Sequence, residues 1–250
     1  MPDPSTLAIV VAGIFVIAFM KGAFGGGFAI VGIPLLSLTT DPITAGTIMA
    51  PLLLLMDAFA LRNWKPTTWS KPDLAVLLPG LVAGIGLGWL LIAHLDKRLV
   101  AIAMALITLA FAAHWALGLA SATPKPRSVV KGLACGTLGG LTSMVAHAGG
   151  PPLAIYLLPL GLPKAVYAGT TSLFFTVGNV IKFGPWLAIG APSSAVWTLI
   201  ACAAPAVPLG VWAGWRFHQR LDQAAMLRWL YGLLVATALK LLYDGVRGFL

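Results

Sequence analysis

Three charged side chains stand where their surroundings would not hold a charge cheaply: Lys21, Asp57 and Lys182, each inside or at the edge of a long apolar run. An ionised group in such surroundings is costly unless it is paired or lines an aqueous path, so it points to a site. Asp57 is the one carboxylate well inside a run, which makes it the leading candidate for proton coupling. His147 is a second candidate for that role, since histidine changes charge near neutral pH. It could equally bind an anion or donate to a backbone carbonyl. Lys21 stands just before the glycine-rich stretch Gly22–Gly27, where its amine could face a bound anion. Its plainer reading is a lysine snorkelling from a helix end. Thr170, Thr171, Ser172, Thr176 and Asn179 form a polar series at spacings that put part of it on one helical face. Thr47, Thr170 and Asn179 are the favoured ligand contacts, although hydrogen bonds between helices would use the same residues.

Two interruptions must position these groups. The first is Gly25-Gly26-Gly27 in GGGFAIVGIPLL, and the second is Gly149-Gly150-Pro151-Pro152 in AHAGGPPLAIYLL. Such breaks leave backbone N–H and C=O groups unsatisfied in lipid, so they belong in a protein-lined or watery cavity. Gly26-Gly27 and Gly149-Gly150 are separated by 123 residues, as are Gly13 and Gly136, and Gly46-Thr47 and Gly169-Thr170. Further on, Pro79, Gly84, Gly88, Trp89, Leu95 and Asp96 match Pro205, Gly210, Gly214, Trp215, Leu221 and Asp222 at an offset of 126. The same offset relates His114 to Lys240, each towards a helix end. The chain is therefore a duplication: residues 1–120, a linker at 121–128, and residues 129–250. The offset also carries Asp57 close to Lys182, which allows either a charge pair between the halves or a place for both residues near an interface. Short helices opening at Phe28 and Leu153 would aim free N–H groups and positive dipole ends into the cavity, a setting for an anion.

With 59% hydrophobic and only 9% charged residues, the 250-residue chain is too apolar for a solvated globular domain. Its net charge of +9 sits in short clusters between apolar runs, the pattern of cytoplasmic loops and not of a nucleic-acid face. Spans of roughly 20 residues are expected at Ser5–Gly22, Ile43–Leu61, Leu74–Ala93, Leu99–Leu119, Val129–Ala146, Val166–Ala188, Ser194–Phe217 and Ala224–Phe249. Shorter pieces at Phe28–Thr39 and Leu153–Leu160 follow the breaks. The expected fold is thus an all-α polytopic membrane protein of about eight spans and ten helical segments. The run at Leu7–Met20 lacks a basic leader and reads as mature protein, not a signal peptide. Trp64, Trp69, Trp89, Trp115, Trp186, Trp215 and Trp229 lie towards span ends, as in an interfacial belt. Cys135 and Cys202 have no ligand set beside them, so neither a metal nor a disulfide is expected.

Loop charges decide how the broken elements cross. If each is a hairpin, Arg62, Lys65, Lys71, Lys125, Arg127, Lys131, Lys164, Arg216, Arg220 and Arg228 gather on one side, against Lys97, Arg98 and Arg247 on the other. Single crossings divide them almost evenly, at 7 to 6. The charge asymmetry favours hairpins. Each half is then a broken-helix hairpin plus three transmembrane helices, the repeats are inverted, and both termini lie outside.

The GGGFAIVGIPLL and HAGGPPLAIYLL breaks, with the following Gly46-Thr47 and Gly169-Thr170, resemble the TauE/SafE family, also called the 4-toluene sulfonate uptake permease family. The resemblance covers nearly the whole chain. It implies a secondary transporter in the bacterial inner membrane for sulfite, sulfoacetate or another organosulfonate, often an exporter. The residues themselves argue only for a small anion held at Lys21, Gly25, Gly26, Gly27, Thr47, His147, Gly149, Gly150, Thr170 and Asn179. Protons are the candidate coupling ion, through Asp57 and His147; no cofactor is expected, and a homodimer is compatible with the sequence. An anion channel, or a permease for another small organic anion, is the alternative. No HExxH or GxSxG pattern favours an enzyme.

Overall fold

The computed structural model describes residues 3–27, 35–36, 39–40, 42–91, 97–117 and 124–247. Among them are ten α-helices and no strand: α1 (Pro4–Phe24), α2 (Pro42–Asn63), α3 (Lys71–Leu91), α4 (Lys97–Ala116), α5 (Val129–Ala146), α6 (Gly150–Leu157), α7 (Lys164–Gly190), α8 (Ser194–Ala203), α9 (Ala206–Arg220) and α10 (Gln223–Arg247). Six helical stretches are long and apolar enough to cross a bilayer: Pro4–Phe24, Ile43–Asn63, Lys71–Leu91, Lys164–Gly190, Ser194–Arg220 and Gln223–Arg247. Leu90, Val130, Leu209 and Trp212 are exposed, an apolar exterior that suits lipid and not water. The all-α polytopic membrane expectation holds. Phe28, Leu95 and Asp96 lie outside the described residues, as do the side chains of His114 and Trp115.

Contacts divide the chain into two compact units, Met1–Trp69 with Ala168–Leu221, and Ser70–Tyr167 with Asp222–Leu250. Each unit draws on both halves of the sequence.

In the first unit, α1 opens on Asp3, whose carboxylate accepts the N–H groups of Ser5 at 3.1 Å and Thr6 at 3.2 Å, and Pro4 takes the first helical position. The carboxyl of Asp3 is held below the ordinary aspartate range, chiefly by the Ser5 hydroxyl. α1 packs along α9 in parallel. A methyl on Gly210 would meet Ala18 and the Phe15 carbonyl, one on Gly214 the Phe19 carbonyl, and one on Gly22 the Val211 carbonyl. Glycine lets these two backbones approach to a distance no side chain would permit. The helix start of α2 meets the end of α7, where a methyl on Gly46 would strike the Trp186 ring and one on Gly190 the Thr47 hydroxyl. At the other end, Gly169 near the start of α7 lies against Thr68, just past the end of α2. The two helices are therefore antiparallel. After the first break the chain doubles back, since Leu36 and Leu35 lie 3.0 and 3.7 Å from where a Gly13 methyl would stand, midway along α1.

The second unit repeats the glycine seam. α3 and α5 run in parallel, with Gly80, Gly84 and Gly88 against Leu133, Thr137, Leu141 and Met144, and Gly136 and Gly140 facing the Leu77 and Leu81 carbonyls. The second broken element is a hairpin. α5 ends at His147, and α6 returns beside it, bringing the Tyr156 ring about Gly132 and the Lys125 N–H to the Pro159 carbonyl at 2.8 Å. α4 and α10 pack on each other in this unit.

The expected span at Ser194–Phe217 is found within the apolar stretch Ser194–Arg220, interrupted at Ala204–Pro205 between α8 and α9, while two other expectations need correction. Pro205 lacks an N–H, and Pro208 removes a second donor within the next turn, whereas the matching Pro79 stands alone inside an unbroken α3. The second short helix opens at Gly150, not Leu153. Trp64 and Trp186 are buried and not part of an interfacial belt; Trp64 stacks edge-on to His218 with ring centroids 4.7 Å apart.

Candidate functional site

The first break is built from three consecutive glycines, all with left-handed backbone: Gly25 at φ 80°, Gly26 at 116° and Gly27 at 91°. L-residues rarely adopt these angles, which is why the sequence must be glycine here. The Gly25 N–H closes α1 on the Lys21 carbonyl at 3.0 Å. The N–H groups of Gly26 and Gly27 have no acceptor among the described residues.

This sharp end turns Lys21 inward. The side chain is buried, not snorkelling, and its amine forms an ion pair with the Asp57 carboxylate. It also lies 5.8 Å from the Phe175 ring centroid and 3.3 Å from where a Gly26 methyl would stand. Asp57 receives two more donors from α7: Thr176 Oγ1 at 2.9 Å on Oδ1, and Asn179 Nδ2 at 2.8 Å on Oδ2. The hydroxyl of Thr176 is also 2.8 Å from the Ser172 carbonyl, so its single proton is shared between the two acceptors. Three donors thus satisfy a buried carboxylate that would be costly to leave unpaired.

Lys182, one helical turn beyond Asn179, is also buried and lies within electrostatic reach of both Asp57 and Lys21. The direct ion pair of Asp57 is with Lys21 and not with the expected Lys182. Two amines draw on one carboxylate. Such a cluster gains most from a further negative charge, and a bound anion would supply it.

The remaining candidates divide by unit. Thr47 and Thr170 are buried in the first unit. The Thr47 hydroxyl donates to the Ile43 carbonyl of its own helix at 2.8 Å, and Gly46, Gly169 and Gly190 serve close helix packing. The structure thus brings Lys21, Gly25, Gly26, Asp57 and Asn179 together, with Thr47 at a helix-packing contact.

His147, Gly149 and Gly150 belong to the second unit. His147 caps α5 with a left-handed backbone (φ 52°), its N–H meeting the Ser143 carbonyl at 3.2 Å. Thr142 Oγ1 reaches the Ala148 carbonyl at 3.1 Å and steadies the break. Because Pro151 and Pro152 follow Gly150, α6 begins with two of its usual free N–H donors missing. That weakens the expected anion-facing helix end on this side.

Two buried groups escaped the sequence reading. Asp73, fully buried in the first turn of α3, accepts from Ser70, from Arg127 Nε at 3.0 Å and from Tyr156 OH at 3.0 Å. The spacing Ser70-x-x-Asp73 is a capping-box pattern that could have flagged it. His218 places Nδ1 2.7 Å from the Ala23 carbonyl, against the last turn of α1, and no sequence signal singled it out. Among the described residues no group of His, Cys, Asp or Glu could hold a metal, and both cysteines are free.

The family model described as Sulfite exporter TauE/SafE matches residues 9–241. No curated protein and no solved structure gives a match.

Proposed function

The chain belongs to the sulfite exporter TauE/SafE family, and from that premise we propose that it is a secondary transporter moving sulfite or an organosulfonate out of the cell across the bacterial inner membrane by alternating access. The observation that carries this reading is the buried cluster at the first glycine break, where Lys21 pairs with the carboxylate of Asp57 and a second buried amine, Lys182, lies within its electrostatic reach. A small anion settling beside Lys21 would meet both buried amines against the single carboxylate of Asp57. A cation there would meet two amines. The N–H groups of the half-buried Gly26 and Gly27, without an acceptor among the described residues, are further donors for such an anion.

In this reading the halves, residues 1–120 and 129–250, are inverted repeats joined by the 121–128 linker, with both termini outside. Repeat-equivalent helices α2 and α7 run antiparallel, and the α1–α9 seam has its counterpart in α3–α5, both of which support the arrangement. Asp57 and His147 are the proposed proton-coupling groups, and a homodimer is the proposed assembly.

The test is counterflow in liposomes loaded with unlabelled sulfite. Saturable, trans-stimulated entry of labelled sulfite is expected, and Lys21→Met should abolish it. Flux that never saturates and shows no trans-stimulation would overturn alternating access and favour a channel.

A further inference from the structure

The mechanism above uses the amine of Lys21 but leaves two buried hydroxyls unexplained. Thr171 is 2% exposed and Ser172 0%, yet neither Thr171 Oγ1 nor Ser172 Oγ has a hydrogen-bond partner among the described residues. Hydroxyls in membrane helices ordinarily return to a carbonyl one turn back, as Thr47 and Thr142 do here. A buried polar group that makes no bond is destabilising, so its retention calls for a reason.

Their place on α7 supplies one. Residues one turn apart share a helical face. Thr171 precedes by one turn Phe175, whose ring lies against the Lys21 amine and Gly26. Ser172 precedes by one turn Thr176, which donates to Asp57, and follows by one turn Ala168, whose carbonyl touches Gly25. Both hydroxyls therefore lie on the stretch of α7 that packs on the glycine break and the charged cluster.

We infer that Ser172, with Thr171 beside it, is a specificity-determining donor that reads the oxygen atoms of the anion held at Lys21. This rests on the anion site proposed above and deepens it. The amine supplies charge, which any anion satisfies, while the hydroxyls reward a ligand that presents hydrogen-bond-accepting oxygens. The ligand class is an oxyanion with an oxygen free on the side facing α7, and a soft anion that accepts hydrogen bonds poorly gains nothing from them.

The test compares the purified full-length protein with Ser172→Ala and, separately, Thr171→Val. Affinities for sulfite, methanesulfonate and iodide are read by calorimetry, and thermal unfolding is followed without ligand. A hydrogen bond to a charged group implies that Ser172→Ala weakens sulfite and methanesulfonate about tenfold or more. Iodide affinity should change by less than about twofold, and Thr171→Val should act in the same direction. The unfolding temperature of the ligand-free variants should stay level or rise, because a hydroxyl without a partner has been removed. A merely structural hydroxyl would lower it. Equal weakening of iodide and oxyanions, unchanged oxyanion affinity, or lowered ligand-free stability would each overturn the inference and leave the transporter reading standing. If the wild-type protein binds none of the three anions, the transporter reading itself falls.

Discussion

Asp57 and Lys21 are not equivalent halves of an ion pair, and their replacement should show it. In Asp57→Asn the shape is kept, but both Lys21 and Lys182 lose the carboxylate they draw on. Breaking a buried pair in this way costs about 3–5 kcal/mol. Lys21→Met leaves Asp57 with Thr176 at 2.9 Å, Asn179 at 2.8 Å and the charge of Lys182 within reach. The loss is then one charge-assisted hydrogen bond, about 1.5–3 kcal/mol. Adding Lys21→Met to Asp57→Asn removes one of the two stranded amines, so the double variant should be more stable than Asp57→Asn alone. Unfolding in mixed detergent and SDS micelles, followed by far-UV circular dichroism at neutral pH, gives the three free energies. If Lys21→Met is as damaging as Asp57→Asn, or the double variant shows the plain sum, the idea of two amines sharing one carboxylate is wrong.

Two further perturbations follow from local geometry. Gly25→Ala puts a methyl into the Ala168 carbonyl at a φ of 80° and should abolish stable expression, whereas Gly86→Ala, with nothing within 4 Å, should express and transport like wild type. Expression by fluorescence-detected size exclusion separates the two, and equal yields would refute the strain. Asp73→Asn should loosen the second hairpin by about 1–3 kcal/mol through its bonds to Arg127 and Tyr156. Faster hydrogen exchange across 150–157 is the readout, and an unchanged rate would show that Asp73 does not hold that leg.

The breaks were legible because positive φ angles demand glycine, and Gly25, Gly26 and Gly27 announce that demand without any knowledge of neighbours. The pairing of the charges was not. The repeat offset pointed from Asp57 to Lys182, while the direct partner is Lys21, because the tight closure of α1 on Gly25 swings the last turn towards α2. Thr176 and Asn179 could be placed on one face from their spacing, but that the face meets Asp57 depends on the register between α2 and α7. Trp64 and Trp186 misled for the same reason: position near a span end says nothing about which side of the helix faces lipid. Pro79 and Pro205 show the limit most plainly, one residue type at matched positions giving an intact helix and a broken one.

The three donors of Asp57 also impose an order on biogenesis. Lys21 is synthesised before Asp57, so the ion pair can form as soon as α2 reaches the membrane, and each charge helps the other enter. Thr176 and Asn179 lie 119 and 122 residues further along the chain. At about 5–20 residues per second, the ribosome delivers them only after about 6–24 s. For that interval the Lys21–Asp57 pair stands without its donors from α7, and the face of α1 that carries Gly22 waits for α9. Until then the carboxylate of Asp57 has only one of its three donors in place.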